Sequence, residues 1–170
     1  MIFRKIEAKD INEADELFRA CLADLLAREG FHDQELYEEE IYRLNIAVSK
    51  SLQESENQFY IAEQKSHILG TIALQSPGNM LKSMVEVEPG QFEVGCVYVH
   101  PSYQREGVGD FLFQNAIIQL NSLGKTKFYL DAGFSSSQQY WLKRLGTPSF
   151  LIEDYWEQGK PHMVWIKDIL

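Results

Sequence analysis

The spacing of apolar and polar positions changes several times along the chain, and each change predicts an element. Residues 2–6 read as a short strand, and Asp10 with Glu13 three positions on has the spacing of a capping box, which starts a helix. Ile11, Ala14, Leu17, Phe18, Cys21, Leu22, Leu25 and Leu26 then recur along one helical face until Gly30 supplies a stop. A second helix is predicted from Asp33, with Tyr37, Ile41, Leu44 and Val48 on one stripe. Its run of Glu38, Glu39 and Glu40 falls near the start, where the helix dipole favours negative charge, and reads most simply as a solvated face. The pattern turns extended over residues 58–63 and 68–75, joined by a polar turn at 64–67, which predicts a hairpin. Residues 76–79, with Pro77 and Gly78, predict a loop, and Pro89 with Gly90 another turn; the stretch between has no clear period.

Residues 91–100, QFEVGCVYVH, are rich in valine and aromatic side chains and predict a strand that Pro101 ends, having no amide proton. A helix over 108–123 closed by Gly124, a strand over 127–132, a helix over 136–145 stopped by Gly146, and strands near Phe150 and Val164 follow. The order is β-α-α-β-β-β-α-β-α-β-β. Hairpins mixed with helical crossovers predict an α/β chain of the mixed α+β kind, one mixed, mostly antiparallel sheet with helices on both faces.

A length of 170 residues fits one domain, residues 1–170. At 45% hydrophobic and 24% charged, the chain has globular rather than disordered composition. The charged start and the lack of an apolar run near the roughly 18 residues of a span exclude a membrane helix and point to a cytosolic protein. The net charge of −9 opposes binding to phosphate backbones, which speaks against nucleic acid as a partner; it would also draw cationic substrates toward a cleft, although a negative total ordinarily reflects no more than solubility. Cys21 and Cys96 lack the spacing of a zinc site or a disulfide framework and read as buried thiols, so no metal is expected.

Chemistry concentrates at residues 97–110, VYVHPSYQREGVGD, where a strand passes through a proline turn into two close glycines that open a helix. The first amides of a helix have no intrahelical partner and sit at the positive end of its dipole, so together they can hold a phosphate. A side chain at Gly107 or Gly109 would block that approach or forbid the backbone angles that turn successive amides inward. A Walker loop is excluded because Asp110 and Phe111 follow Gly109 where Lys-Ser/Thr belongs. A dinucleotide fingerprint fails at Leu112, where a small residue is required.

The run Gln104-Arg105-Glu106-Gly107-Val108-Gly109 resembles the Arg/Gln-x-x-Gly-x-Gly/Ala signature of the GNAT superfamily of N-acetyltransferases. Val97-Tyr98-Val99-His100-Pro101 looks like that family's fourth strand, and the order of elements is similar over almost the whole chain. The resemblance implies acetyl-coenzyme A as cosubstrate and direct transfer of its acetyl group to an amine, on a small molecule or a protein. It implies that Val97, Tyr98 and Val99 meet the pantetheine arm through backbone groups, while Gln104, Arg105, Glu106, Gly107, Val108, Gly109 and Asp110 take the pyrophosphate. Residues 127–131 would form the other wall of the cofactor site. The family's later helix carries an asparagine that touches the cofactor and a tyrosine that protonates the departing thiolate. Counted back from Gly146, those positions hold Ser135 and Leu142; counted forward from the preceding strand, the asparagine position is Ser136. Tyr140 replaces the tyrosine only if the helix start is shifted, and Trp141 reads as core.

An amine resembling lysine, with a pKa near ~10.4, must lose a proton before it attacks. Glu93 is the carboxylate best placed to take it, at even spacing from Val97 on one strand and so expected on the same sheet face. An exposed strand carboxylate with no role is the other reading of Glu93. A β-strand amide among Val97, Tyr98 and Val99 is the natural oxyanion donor. Cys96 has no histidine paired locally and reads as packing rather than as a nucleophile. Two alternatives stay open: a module that binds or senses acyl-coenzyme A without transfer, and a regulatory domain that holds another phosphate on the glycine loop.

Overall fold

The structure is a computed structural model and describes residues 1–169. Among the described residues, seven strands and five α-helices follow in the order β1 (Ile2–Lys5), α1 (Ile11–Glu29), α2 (Gln34–Ser51), β2 (Gln58–Gln64), β3 (His67–Gln75), α3 (Asn79–Met84), β4 (Phe92–Val99), α4 (Val108–Ser122), β5 (Lys127–Ala132), α5 (Ser135–Leu145), β6 (Phe150–Glu157) and β7 (Lys160–Asp168). The chain divides into two compact units: residues 1–75 with 94–119, and residues 76–93 with 120–170.

In the first unit the strand order is β1-β2-β3-β4. Lys65 and Ser66 both take left-handed φ, 50° and 63°, the geometry that lets a two-residue turn follow the twist of the β2–β3 hairpin. Helices α1 and α2 cover one face through Leu17, Phe18, Leu22, Ile41, Leu44 and Val48, which meet Phe59 and Ile61. The opposite face of the same hairpin carries Tyr60, stacked on Phe3 at 4.7 Å, and Phe3 in turn meets Phe111 of α4 edge-on at 6.4 Å. Both faces of this sheet are therefore covered, as the pattern predicts.

Helix α1 starts where Asp10 predicts, but by another device. The Asp10 carboxylate accepts two bonds from Arg4, at 2.7 and 2.9 Å, and one from the Glu7 amide at 2.8 Å. Glu13 accepts from the Ile68 amide at 2.9 Å, so the pair does not form a capping box across the helix start. Arg4 holds the buried Asp10 carboxyl below its ordinary range, the Glu7 amide adding to the effect and desolvation opposing it. Gly30, with φ 75°, ends α1, and Asp33 caps α2 by accepting from the Leu36 amide at 3.0 Å. Cys21 is buried as expected, and burial pushes its thiol up to about 12. Cys96 is only partly buried.

In the second unit the order is β4-β5-β7-β6, β4 contributing its first two residues. They pair with β5 in parallel, Phe92 with Phe128 and Glu93 with Tyr129, while β5–β7 and β7–β6 are antiparallel. Helix α3 occupies the stretch that had no clear period; its Leu81 packs with Val85, Tyr129 and Val164. Asn79, expected in the preceding loop, is its first residue. Helix α5 begins at Ser135, and Trp141 is buried in it. The result is the mixed α+β class with a mostly antiparallel seven-stranded sheet. No helix among the described residues is long and apolar enough to cross a membrane.

Candidate functional site

The glycine loop joins β4 to α4 within the first unit. His100 donates its amide to Leu69 O at 2.9 Å, then Pro101–Tyr103 makes one tight turn, with the Ser102 amide on His100 Nδ1 at 3.2 Å. The Gln104 side chain reaches back and donates to Val99 O at 3.2 Å, so it braces the loop against the end of the strand. Arg105 and Gly107 both take left-handed φ, 65° and 83°, alternating with their neighbours as in an anion-binding nest. The Phe111 amide bonds to Gly107 O at 2.9 Å, which makes Gly107 the residue before the first turn. The amides of Val108 and Gly109 therefore fall in the first turn, where an α-helix supplies no intrahelical acceptor. Arg105, Glu106, Gly107 and Asp110 are exposed, whereas the Val108 side chain is buried and anchors the turn. A Cβ built on Gly107 meets nothing within 4 Å, so the space over the loop is open to a ligand.

Strand β4 is irregular where a ligand arm would lie along it. Cys96 has φ 49°, a left-handed value inside a strand, and such a bulge re-aims the backbone groups that follow it. Its carbonyl is held by Thr71 Oγ1 at 2.9 Å. The bulge also breaks the alternation from which the sequence puts Glu93 and Val97 on one face, so that expectation does not carry across Cys96. Val97, Tyr98 and Val99 are half-buried. Behind them stands a residue the sequence reading passed over: a Cβ on Gly70 of β3 would lie 2.6 Å from Tyr98 O, 3.0 Å from Leu112 and 3.3 Å from Val108. Glycine inside a strand signals close approach of another backbone, and that signal was present in the sequence.

In the second unit Glu93 is half-buried and shares a sheet face with its partner Tyr129. Its Oε2 accepts from the Gly78 amide at 2.8 Å, which fixes the carboxylate's position. Ser135 is the first residue of α5 and Ser136 the second, while the α5 amide series ends with Gly146 bonding to Leu142 O at 3.0 Å. The helix is continuous, so Tyr140 lies about 200° round from Leu142. It is 39% exposed and edge-on to Trp141 at 4.8 Å. The helix starts at Ser135, which is also the asparagine position in the count back from Gly146. Gln138 is buried and donates to the carbonyls of Ala132, Gly133 and Pro161. In α2 the acidic run is partly neutralised: Glu40 takes Arg43 at 2.8 Å, and Glu38 takes Gln34 at 3.0 Å with Arg19 at 3.9 Å.

The model of the acetyltransferase (GNAT) family matches residues 13–147, which include β4, the nest and α5. The chain belongs to the GNAT acetyltransferase family. It is thus an N-acetyltransferase, and acetyl-coenzyme A is its acetyl donor. Among curated proteins none matches the sequence. The fold of this GNAT acetyltransferase is similar to that of the PaiA N-acetyltransferase from Thermoplasma acidophilum, solved with coenzyme A, at 20% identity and TM-score 0.71 over 98% of each chain. It is similar to aminoglycoside 6'-acetyltransferase type Ii, at 15% identity and TM-score 0.73 over 100% of this chain and 98% of that one. The ribosomal-protein-S18-alanine N-acetyltransferase from Escherichia coli gives 15% identity and TM-score 0.68 over 99% and 93%. The last two names speak of a small-molecule and a protein acceptor.

Proposed function

We propose that residues 1–170 work as one cytosolic domain that binds the pyrophosphate of acetyl-coenzyme A on the loop before α4 and passes the acetyl group directly to a primary amine. The observation that carries the reading is the nest: left-handed Arg105 and Gly107 lead into the helix-start amides of Val108 and Gly109 beside open space. Phosphate chemistry fits it, since amides aimed in advance need no rearrangement to meet charge. Arg105, Glu106, Gly107, Val108, Gly109 and Asp110 form the cradle, with Gln104 as its brace. The backbone of Val97, Tyr98 and Val99, re-aimed by the Cys96 bulge, takes the pantetheine arm and offers the oxyanion donor. By the resemblance, one of Ser135 and Ser136, the first two residues of α5, takes the part of the family's asparagine.

Acetyl-coenzyme A brings a thioester whose carbonyl carbon bonds to the amine nitrogen as the thiol leaves. Glu93 takes the proton that the amine sheds, directly or through water, from a carboxylate already fixed by the Gly78 amide. A thiol near pKa ~8.5 leaves without a strong acid, so solvent protonates it, in keeping with the exposed Tyr140. The test is release of coenzyme A thiol from acetyl-coenzyme A in the presence of a panel of primary amines, with Tyr140→Phe alongside the wild type. Turnover with at least one amine supports transfer, and a loss below about threefold in the Tyr140 variant supports solvent as the acid; general-acid removal costs roughly 10²-fold or more. Tight binding without turnover on any amine favours the sensing module.

A further inference from the structure

His100 stands between the end of β4 and the glycine loop, inside the first unit, and it is engaged through backbone and ring alike. Its amide donates to Leu69 O of β3 at 2.9 Å, its carbonyl accepts from the Tyr103 amide at 2.8 Å, and its Nδ1 accepts from the Ser102 amide at 3.2 Å. The ring bond runs from one residue to the amide two positions on, the pattern that asparagine or aspartate makes in an Asx turn. Here an imidazole nitrogen takes the part of the side-chain oxygen. Pro101 follows, fixed in its own φ and holding His100 extended, at φ −50° and ψ 134°. The turn leads through Gln104, braced on Val99 O, to Arg105, the first left-handed residue of the nest.

An accepting Nδ1 puts the neutral ring's proton on Nε2. Protonation of the ring adds an N–H at Nδ1, which then meets the Ser102 amide donor against donor. The charged ring therefore releases the turn, and the amide of exposed Ser102 passes to water. Tyr103 is the titratable side chain set against the imidazole, with ring centroids 5.7 Å apart. The turn rests against β3 and α1. These bring His67, two residues before Leu69, and Glu13, whose Oε1 lies 3.5 Å from His67 Nδ1 and accepts from the Ile68 amide. On the loop itself Arg105 and Glu106 are exposed.

We infer that His100 is a positioning residue for the cofactor: its neutral ring caps the turn that sets the nest, and protonation loosens the nest. The inference rests on the proposed binding of acetyl-coenzyme A at the loop. His100 acts through the turn and needs no contact with the ligand. Linkage then fixes a sign. A cofactor that prefers the capped loop favours the neutral ring, so saturation lowers the pH at which His100 titrates; a ring that met the phosphates directly would titrate higher instead.

The experiment follows the His100 imidazole by NMR between about pH 5 and 8, where histidine ordinarily changes charge, in the free protein and in the protein saturated with acetyl-coenzyme A. The midpoint should fall by about 0.3 to 1 pH unit, the two- to tenfold linkage that one hydrogen bond supplies. An unmoved or raised midpoint overturns the inference. His100→Asn restores the cap with an oxygen that does not titrate. It should bind acetyl-coenzyme A like the wild type at about pH 8 and about two- to tenfold more tightly than the wild type at about pH 5.5. The cofactor's phosphate monoester, with a pKa near ~6, titrates in both proteins and cancels in that comparison. His100→Leu, which has no acceptor, should bind about two- to tenfold more weakly than either at pH 8. An asparagine variant that follows the wild-type pH curve, or a leucine variant that binds like the wild type, also overturns the cap. If acetyl-coenzyme A binds at no pH, the cofactor reading fails, and the Ser102 amide signal of the free protein decides the cap alone. Movement in step with the imidazole supports it, and independence from the imidazole overturns it.

Discussion

Replacing Gly107 by alanine separates the loop's function from the ordinary cost of a left-handed residue. Gly107 has φ 83° and Gly124 has φ 68°; a Cβ on either meets nothing within 4 Å, so neither substitution creates a clash. Both replacements carry the same backbone penalty, about 1–2 kcal/mol for an L-residue held in that region. Urea unfolding should register a loss of that size in each variant. Their effects on the cofactor diverge. At position 107 the alanine either keeps the strained angle or relaxes it, and relaxation turns the Val108 and Gly109 amides away from the phosphate. An amide bond to a charged group contributes about 1.5–3 kcal/mol, so one lost bond weakens acetyl-coenzyme A binding about tenfold or more. Calorimetric titration of both variants with acetyl-coenzyme A gives the comparison. The reasoning is refuted if Gly107→Ala loses no more affinity than Gly124→Ala.

Gly70→Ala drives a methyl to within 2.6 Å of Tyr98 O, so β4 or the first turn of α4 must shift; overpacking of this kind costs about 1–3 kcal/mol, and both unfolding and cofactor titration should report it. Glu93→Gln should lower turnover most at low pH, where the amine is most fully protonated, and leave acetyl-coenzyme A affinity intact; an unaltered pH–rate profile removes Glu93 from the mechanism. Asp10, held below its unfolded pKa of about 3.9, contributes stability that is complete above that value and drains away as pH falls through the lower folded one. Asp10→Asn should therefore cost about 2 kcal/mol near neutral pH and flatten the acid limb of a thermal-stability profile, where the wild type should fall toward the variant.

Local chemistry explains why most of the fold could be read from the sequence. Gly30, Asp33 and Gly146 act within a turn of their own position, and each ends or starts a helix where the pattern says. The loop motif is legible for the same reason, its glycines and its helix being consecutive. Helix α3 escaped because a six-residue helix is too short to show a period. The Cys96 bulge escaped because a cysteine carries no preference for left-handed φ; neighbours such as Thr71, distant in sequence, hold it there. Glu93 and Val97 were put on one face by an alternation that this bulge interrupts. The His100 cap escaped because histidine is not among the residues that ordinarily make a turn of that kind.

The central claim is that the amides opening α4 hold the cofactor's pyrophosphate, and an amide-resolved NMR titration of the wild-type protein with acetyl-coenzyme A tests it most directly. The account predicts that the signals of Arg105, Glu106, Gly107, Val108, Gly109 and Asp110 move first and furthest, with Val97, Tyr98 and Val99 following and Gly124 unmoved. Saturation of the protein with those loop signals unmoved, and the largest shifts elsewhere, would contradict it.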